Sequence, residues 1–366
     1  MKLLFLAKSV GSEAGGLGRH VLEVSKRLVE KGCEVTVLTQ EDMTKQDHGF
    51  EVVIVPKKNL PHNVLENYST LPKVNKFLKE RGEEFDIVHG HEVFGSPGYR
   101  HRSDKNYRYV YTVHGLAYNL ISREKLKPLA KILHYPERRA CKKADKVVAV
   151  SENTKKEVVE EYKVDPGKVE VIYNGVDTEK FRPTKSFENR VLYVGEFLER
   201  KGSVLLVKAF SNVLEKFEHA ELVLVGKGRL EEKLRKLVND LEIEDNVVFK
   251  KNVTDEELVD LYSSSVFVMP SSYEGQGIVY VEAMACGSPV IGCDNSAIPE
   301  MIENGSNGFL IDRKVEEIEK ALEKLFSNPE KVKKMGENAR KTAGKFSWDE
   351  ITEKTLKSYK KFREQP

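Results

Sequence analysis

Short apolar runs recur along the chain, and between them apolar positions return every three or four residues. The runs at Lys2–Ala7, Glu34–Thr39, Val52–Val55, Asp86–His89, Tyr109–Val113, Lys146–Val150 and Lys168–Ile172 predict strands buried on both faces. Between them, Leu17, Val21, Val24 and Leu28 share one helical face within Leu17–Lys31. Further helical periods fall near Thr70–Lys79, Arg123–Lys142 and Asn153–Tyr162. Strand alternating with helix is the pattern of a parallel, doubly wound sheet.

Asn174-Gly175 then gives a turn signal, and Thr178–Asn189 reads as a linker. After it the pattern restarts. Strands are expected at Arg190–Val194, Glu221–Val225, Asn246–Phe249, Val266–Met269, Pro289–Cys293 and Gly308–Ile311. Helices are expected at Ser203–Lys216, Leu230–Leu241, Asp255–Ser263 (capped by Thr254) and Ile278–Cys286, with Gly287 closing the last. Helices Val315–Phe326, Pro329–Thr342 and Trp348–Phe362 end the chain. The expected class is α/β, with two Rossmann-like doubly wound parallel-sheet domains.

Length and charge narrow the picture. With 366 residues, each domain can bury its own core. A net charge of +2 argues against a nucleic-acid partner. The apolar run Leu3–Ala7 is too short for a signal peptide, and no stretch is long enough to span a bilayer. Cys33, Cys141, Cys286 and Cys293 lack Cys-x-x-Cys spacing and read as buried thiols, so a cytoplasmic location is expected. Lys and Glu abound while only four Gln occur, the composition of a thermophile. Residues 122–146 hold nine cationic against three acidic side chains, with Leu126, Leu129, Ile132 and Leu133 among them. Such a segment lies on the anionic inner face of a membrane, or it is a solvated helix face; both readings stand.

The chemistry concentrates in Ser271–Gly287. Strand, Gly-rich loop, helix and strand follow one another there, which is half of a nucleotide-binding unit. Gly275 and Gly277 let the backbone turn and approach a ligand. Glu274 stands on the loop. Glu282 stands one turn into the helix and is the only charge between Gly275 and Cys293. A charge on so apolar a helix needs a partner. Residue 282 points back toward the loop, so both carboxylates can converge on one ligand. Free N–H groups at that helix start suit an anion or a sugar hydroxyl. Near the N-terminus, Gly11, Gly15, Gly16 and Gly18 form a Gly-rich loop without the dinucleotide fingerprint. His89, His91 and His114 fall at expected strand ends, but neither group has metal-ligand company at fixed spacing. No Asp-x-Asp occurs, so no metal-bridged diphosphate is suggested.

The loop Glu274-Gly275-Gln276-Gly277 and the helix Glu282-Ala283-Met284-Ala285-Cys286-Gly287-Ser288-Pro289-Val290 resemble the Glu-x7-Glu signature of retaining family 4 glycosyltransferases with the GT-B fold, the group of glycogen synthase and the phosphatidylinositol mannosyltransferases. Gln276 replaces the usual Phe. Gly15-Gly16-Leu17-Gly18-Arg19-His20, the strand-end His114-Gly115, Asn174-Gly175-Val176-Asp177 and Lys201-Gly202 match further motifs of that family in order. Where the family carries an Arg for the phosphates this chain has Glu196, and Arg200 is the candidate substitute.

The resemblance implies two domains facing across a cleft. Residues 1–177 with 347–366 would form the acceptor side, and residues 178–346 the donor side. It implies a sugar moved, with retention and without a metal, from a UDP-, GDP- or ADP-sugar to the hydroxyl of a glycan, lipid or small molecule. No cofactor is implied. Lys201 and Arg200 would steady the leaving diphosphate. Glu274 and His114 would hold the donor sugar, and Glu282 the ribose. Gly16, Gly226, Val253, Gly275, Gln276, Gly277 and Ile278 would complete the donor contacts. The alternatives are a GT-B nucleotide-sugar epimerase and a non-catalytic two-lobed binding protein.

Overall fold

A computed structural model describes residues 1–11, 15–42, 48–56, 69–116 and 134–363. The chain divides into two compact units. One comprises Met1–Gly175 with Trp348–Pro366, the other Val176–Ser347.

In the first unit seven strands form one sheet in the order β5-β3-β1-β6-β7-β8-β9. They are β1 (Lys2–Leu6), β3 (Glu34–Thr39), β5 (Glu51–Ile54), β6 (Ile87–His91), β7 (Arg108–Val113), β8 (Lys146–Ala149) and β9 (Val169–Val171), all pairing in parallel. A minor parallel pair, β2 (Ser9–Val10) and β4 (Glu41–Asp42), continues from the ends of β1 and β3. Alternation along each strand feeds two cores. Leu4, Leu6, Val88, Tyr109, Tyr111 and Val147 serve one face of the sheet. Leu3, Phe5, Ile87, Val110 and Val148 serve the other, together with Trp348, Ile351, Leu356 and Tyr359 of the last helix. Arg27 Nε donates to Asp349 at 2.8 Å and Lys31 Nζ meets Glu353 at 2.8 Å, joining the first helix (Gly15–Glu30) to the last (Trp348–Arg363). Gly175 is not a left-handed turn residue. A Cβ there would stand 2.6 Å from the Trp348 indole, so the glycine serves close packing.

The strand read as Asp86–His89 runs on to His91. His89 therefore lies inside the sheet. Its Nε2 meets Thr112 Oγ1 at 2.6 Å and its Nδ1 meets the Tyr359 hydroxyl, both buried structural contacts. Of the expected helix Arg123–Lys142, Tyr135–Lys143 is helical. Residues 117–133, which include 122–133 of the basic segment proposed for a membrane surface, lie outside the described residues. Among the described residues no helix is long and apolar enough to cross a membrane.

The second unit repeats the plan with six parallel strands in the order β12-β11-β10-β13-β14-β15. These are β10 (Arg190–Val194), β11 (Glu221–Val225), β12 (Val247–Lys250), β13 (Val266–Met269), β14 (Val290–Cys293) and β15 (Gly308–Ile311). Strand order reverses beside β10, which pairs with both β11 and β13. Doubly wound sheets bind ligands at the carboxyl ends of strands at such a point. The loops after β10 and β13 carry Arg200, Lys201 and Glu274.

Candidate active site

In the second unit, Lys201 Nζ donates to Glu274 Oε1 at 2.6 Å, and Arg200 Nη1 stands 3.6 Å from the same oxygen. The side chains are 13% (Lys201), 14% (Arg200) and 8% (Glu274) exposed, so the three charges share little water. Glu274 stands on a loop, as the sequence leads one to expect. It is buried, because the loop after β13 folds against the turn after β10. Ser272 N–H donates to Arg200 O at 2.7 Å, and Glu274 N–H to Ser296 Oγ at 3.0 Å. Burial pushes the Glu274 carboxyl up, but the neighbouring Lys201 and Arg200 outweigh it and hold it below its ordinary value. Burial lowers the Lys201 ammonium more than Glu274 raises it, and Arg200 adds to the lowering. One carboxylate thus sits against two cations, a largely buried surplus of one positive charge.

Local backbone explains the placement. Glu199–Lys201 form a single 3-10 turn, followed by the helix Ser203–Leu214. Arg313, which the sequence reading passed over, holds this turn: its Nη2 donates to Glu199 O at 2.6 Å and its Nε to Pro270 O at 3.0 Å. Only its position just past β15 could have pointed to it. The helix Ile278–Ala285 starts at Gly277, whose φ of 92° favours glycine. Glu282 is buried on that helix and accepts from the Tyr262 hydroxyl at 3.3 Å. Gln276 is buried too. Gly226 answers to packing: a Cβ there would fall 2.1 Å from Gly195 O. Val253 is half-buried between β12 and the helix Asp255–Ser263, which Thr254 caps through Glu257 N–H as the sequence leads one to expect. Glu196, in place of the family's Arg, is exposed, whereas Arg200 turns inward.

In the first unit, Gly16 is exposed in the opening turn of the Gly15–Glu30 helix. His114 follows β7, and its Nε2 meets His91 Nδ1 at 3.0 Å. His20 comes alongside. Its ring lies 5.0 Å from His114, edge-on, and 5.4 Å from His91. Sequence spacing gave the strand-end histidines no third ligand. The fold supplies one, with a nitrogen from each of His20, His91 and His114 within 4.8 Å of the others. Burial holds all three below the ordinary imidazole range, His20 at about 4.

Residues 14–180 match the family described as Glycosyltransferase Family 4, and residues 176–342 match Glycosyl transferases group 1. The chain is 26% identical to the D-inositol 3-phosphate glycosyltransferase of Gordonia bronchialis, over 97% of this chain and 85% of that one. The sucrose-phosphate synthase of Thermosynechococcus elongatus has the same fold, with a TM-score of 0.85 at 22% identity, over 99% of this chain and 98% of that one. So does Anabaena HepE, solved with UDP-glucose, with a TM-score of 0.80 at 20% identity, over 99% of this chain and all of that one. With both halves matched, the chain belongs to the family 4 glycosyltransferases of GT-B fold.

Proposed function

We propose that this glycosyltransferase takes its sugar from a nucleoside-diphosphate sugar, retains the anomeric configuration, and needs no divalent ion on the diphosphate. The observation that carries the reading is the buried trio Arg200, Lys201 and Glu274 with its one surplus positive charge. A leaving diphosphate gains negative charge as the glycosidic bond breaks. Cations already placed and already dry stabilise that charge without reorganising. They do the work that a bridging magnesium does elsewhere.

Lys201 and Arg200 then bind the diphosphate, and Lys201 exchanges Glu274 for it. The released Glu274 carboxylate accepts a hydrogen bond from a donor-sugar hydroxyl. Glu282, one turn into the Ile278–Ala285 helix, accepts from the ribose hydroxyls, and the N–H groups after Gly277 lie beside it. Gly226, Gly275, Gln276, Ile278 and Val253 border the same strand ends and make the remaining donor contacts. In the first unit, Gly16 and His114 are assigned to substrate at its own strand ends. The family relationship supports the retention part of this reading. The acceptor is a hydroxyl of a glycan, lipid or small molecule; the inositol-phosphate relative supports a polyol.

The test is a thermal-shift screen of UDP-, GDP- and ADP-sugars, followed by transfer assays with the hit. A bound donor raises the melting temperature by mass action. Transfer to an added polyol without magnesium or manganese is expected. Interconversion of the donor alone would favour the epimerase reading, and strict dependence on either ion would overturn the metal-free diphosphate site.

A further inference from the structure

We infer that His20, His91 and His114 form a binding site for a zinc-class divalent ion in the first unit. The inference shares His114 with the proposed function, which assigns that residue to substrate, and is independent of the Arg200, Lys201 and Glu274 reading of the second unit.

Three elements converge there: the Gly15–Glu30 helix supplies His20, the end of β6 His91, and the residue after β7 His114. Their candidate ligand nitrogens lie within 4.8 Å of one another. His91 Nδ1 and His114 Nε2 are 3.0 Å apart. Two imidazole nitrogens on a tetrahedral zinc stand about 3.3 Å apart, given bonds of about 2.05 Å. The pair therefore needs only a few tenths of an ångström, and His20 must close by at most about 1.5 Å. Without an ion, a single proton must bridge His91 and His114. An ion replaces that proton and uses both lone pairs.

A further observation points to a ligand. His20 Nδ1 is buried and has no hydrogen-bond partner. Buried nitrogens are seldom left this way. Packing also holds the rings in place. Trp348 meets His20 edge-on at 5.7 Å, and Phe5 stacks on His91 at 5.7 Å. His89, adjacent to His91 at 4.3 Å, is already held by Thr112 and Tyr359 and is not needed as a ligand. Three neutral imidazoles suit zinc, cobalt or nickel and not magnesium or calcium, which prefer oxygen. The fourth position falls to an exogenous oxygen such as water. Half-exposed His114 gives the ion its way in.

Cobalt provides the readout. The full chain, freed of metal and titrated with Co²⁺ at pH 8 with no nucleotide present, should develop the intense visible bands of a tetrahedral site at one ion per chain. Zinc should bleach them stoichiometrically and raise the melting temperature. His20→Ala and His91→Ala, checked for native circular dichroism, should each weaken binding at least tenfold, while His219→Ala at an exposed position should not. Absence of those bands in the unmodified chain would overturn the site even if a variant failed to fold. Equal zinc retention by folded His91→Ala and the unmodified chain would overturn it as well.

Discussion

At the scale of single residues, Lys201 and Glu274 depend on one another. Removing one partner of a buried ion pair strands the other, at a cost of about 3–5 kcal/mol. Glu274→Ala is therefore expected to lower the melting temperature of the second unit as well as abolish most transfer, since two cations then face each other unneutralised. Calorimetry beside a transfer assay checks both. An unchanged melting temperature would deny the pair its structural weight. Lys201→Ala should lower kcat by about 10²–10³-fold, as loss of a charge-stabilising donor does, with a smaller change in KM for the donor. A change confined to KM would make Lys201 a binding residue only. The pair also carries a pH signature. The folded carboxyl of Glu274 lies below its unfolded value, so its stabilisation is complete above the unfolded pKa of about 4.3 and is lost as pH falls through the folded value. Melting temperature measured from pH 6 down to pH 3 should fall less steeply in Glu274→Gln than in the unmodified chain.

At the scale of elements, the sequence was most readable where local signals sufficed. Parallel strands buried on both faces announce themselves as apolar runs, and Glu274 and Glu282 stand out against glycine and an apolar helix. What could not be read was convergence. Lys201 and Glu274 are 73 positions apart and meet only because β10 and β13 are sheet neighbours. His20 joins His91 and His114 for the same kind of reason: the sheet order sets β1 beside β6 and β6 beside β7. Spacing along the chain holds no record of that order. The strand read as Asp86–His89 runs on to His91, because Gly90 and His91 continue the pairing with β7. Arg313 was missed because its carbonyl partners lie 43 and 114 positions away. It ties the Glu199–Lys201 turn to the end of β13. Arg313→Ala should therefore lower kcat about tenfold, with little effect on overall melting, because the turn that carries Lys201 loses its brace. Full recovery in an Arg313→Lys variant, which keeps the charge but not the two-point fork, would point to charge and not to bracing.

At the scale of the molecule, the last helix belongs to the core of the first unit. Trp348, Ile351, Leu356 and Tyr359 are buried against β1, β6 and the first helix. Trp348→Ala should cost about 3–5 kcal/mol. In a chain ending at residue 347 the first unit should expose that whole face and lose its own cooperative melt, whereas residues 176–347, with a complete sheet of their own, should fold alone. Circular dichroism of the two fragments decides it. The same nesting has a consequence for birth on the ribosome. The first unit is begun first but cannot be finished until its closing helix follows the second unit out of the exit tunnel. The second unit, translated in between, is complete earlier. During that interval the apolar face around Leu3, Phe5 and Val110 waits uncovered, and there a nascent chain of this protein would need a chaperone's shelter.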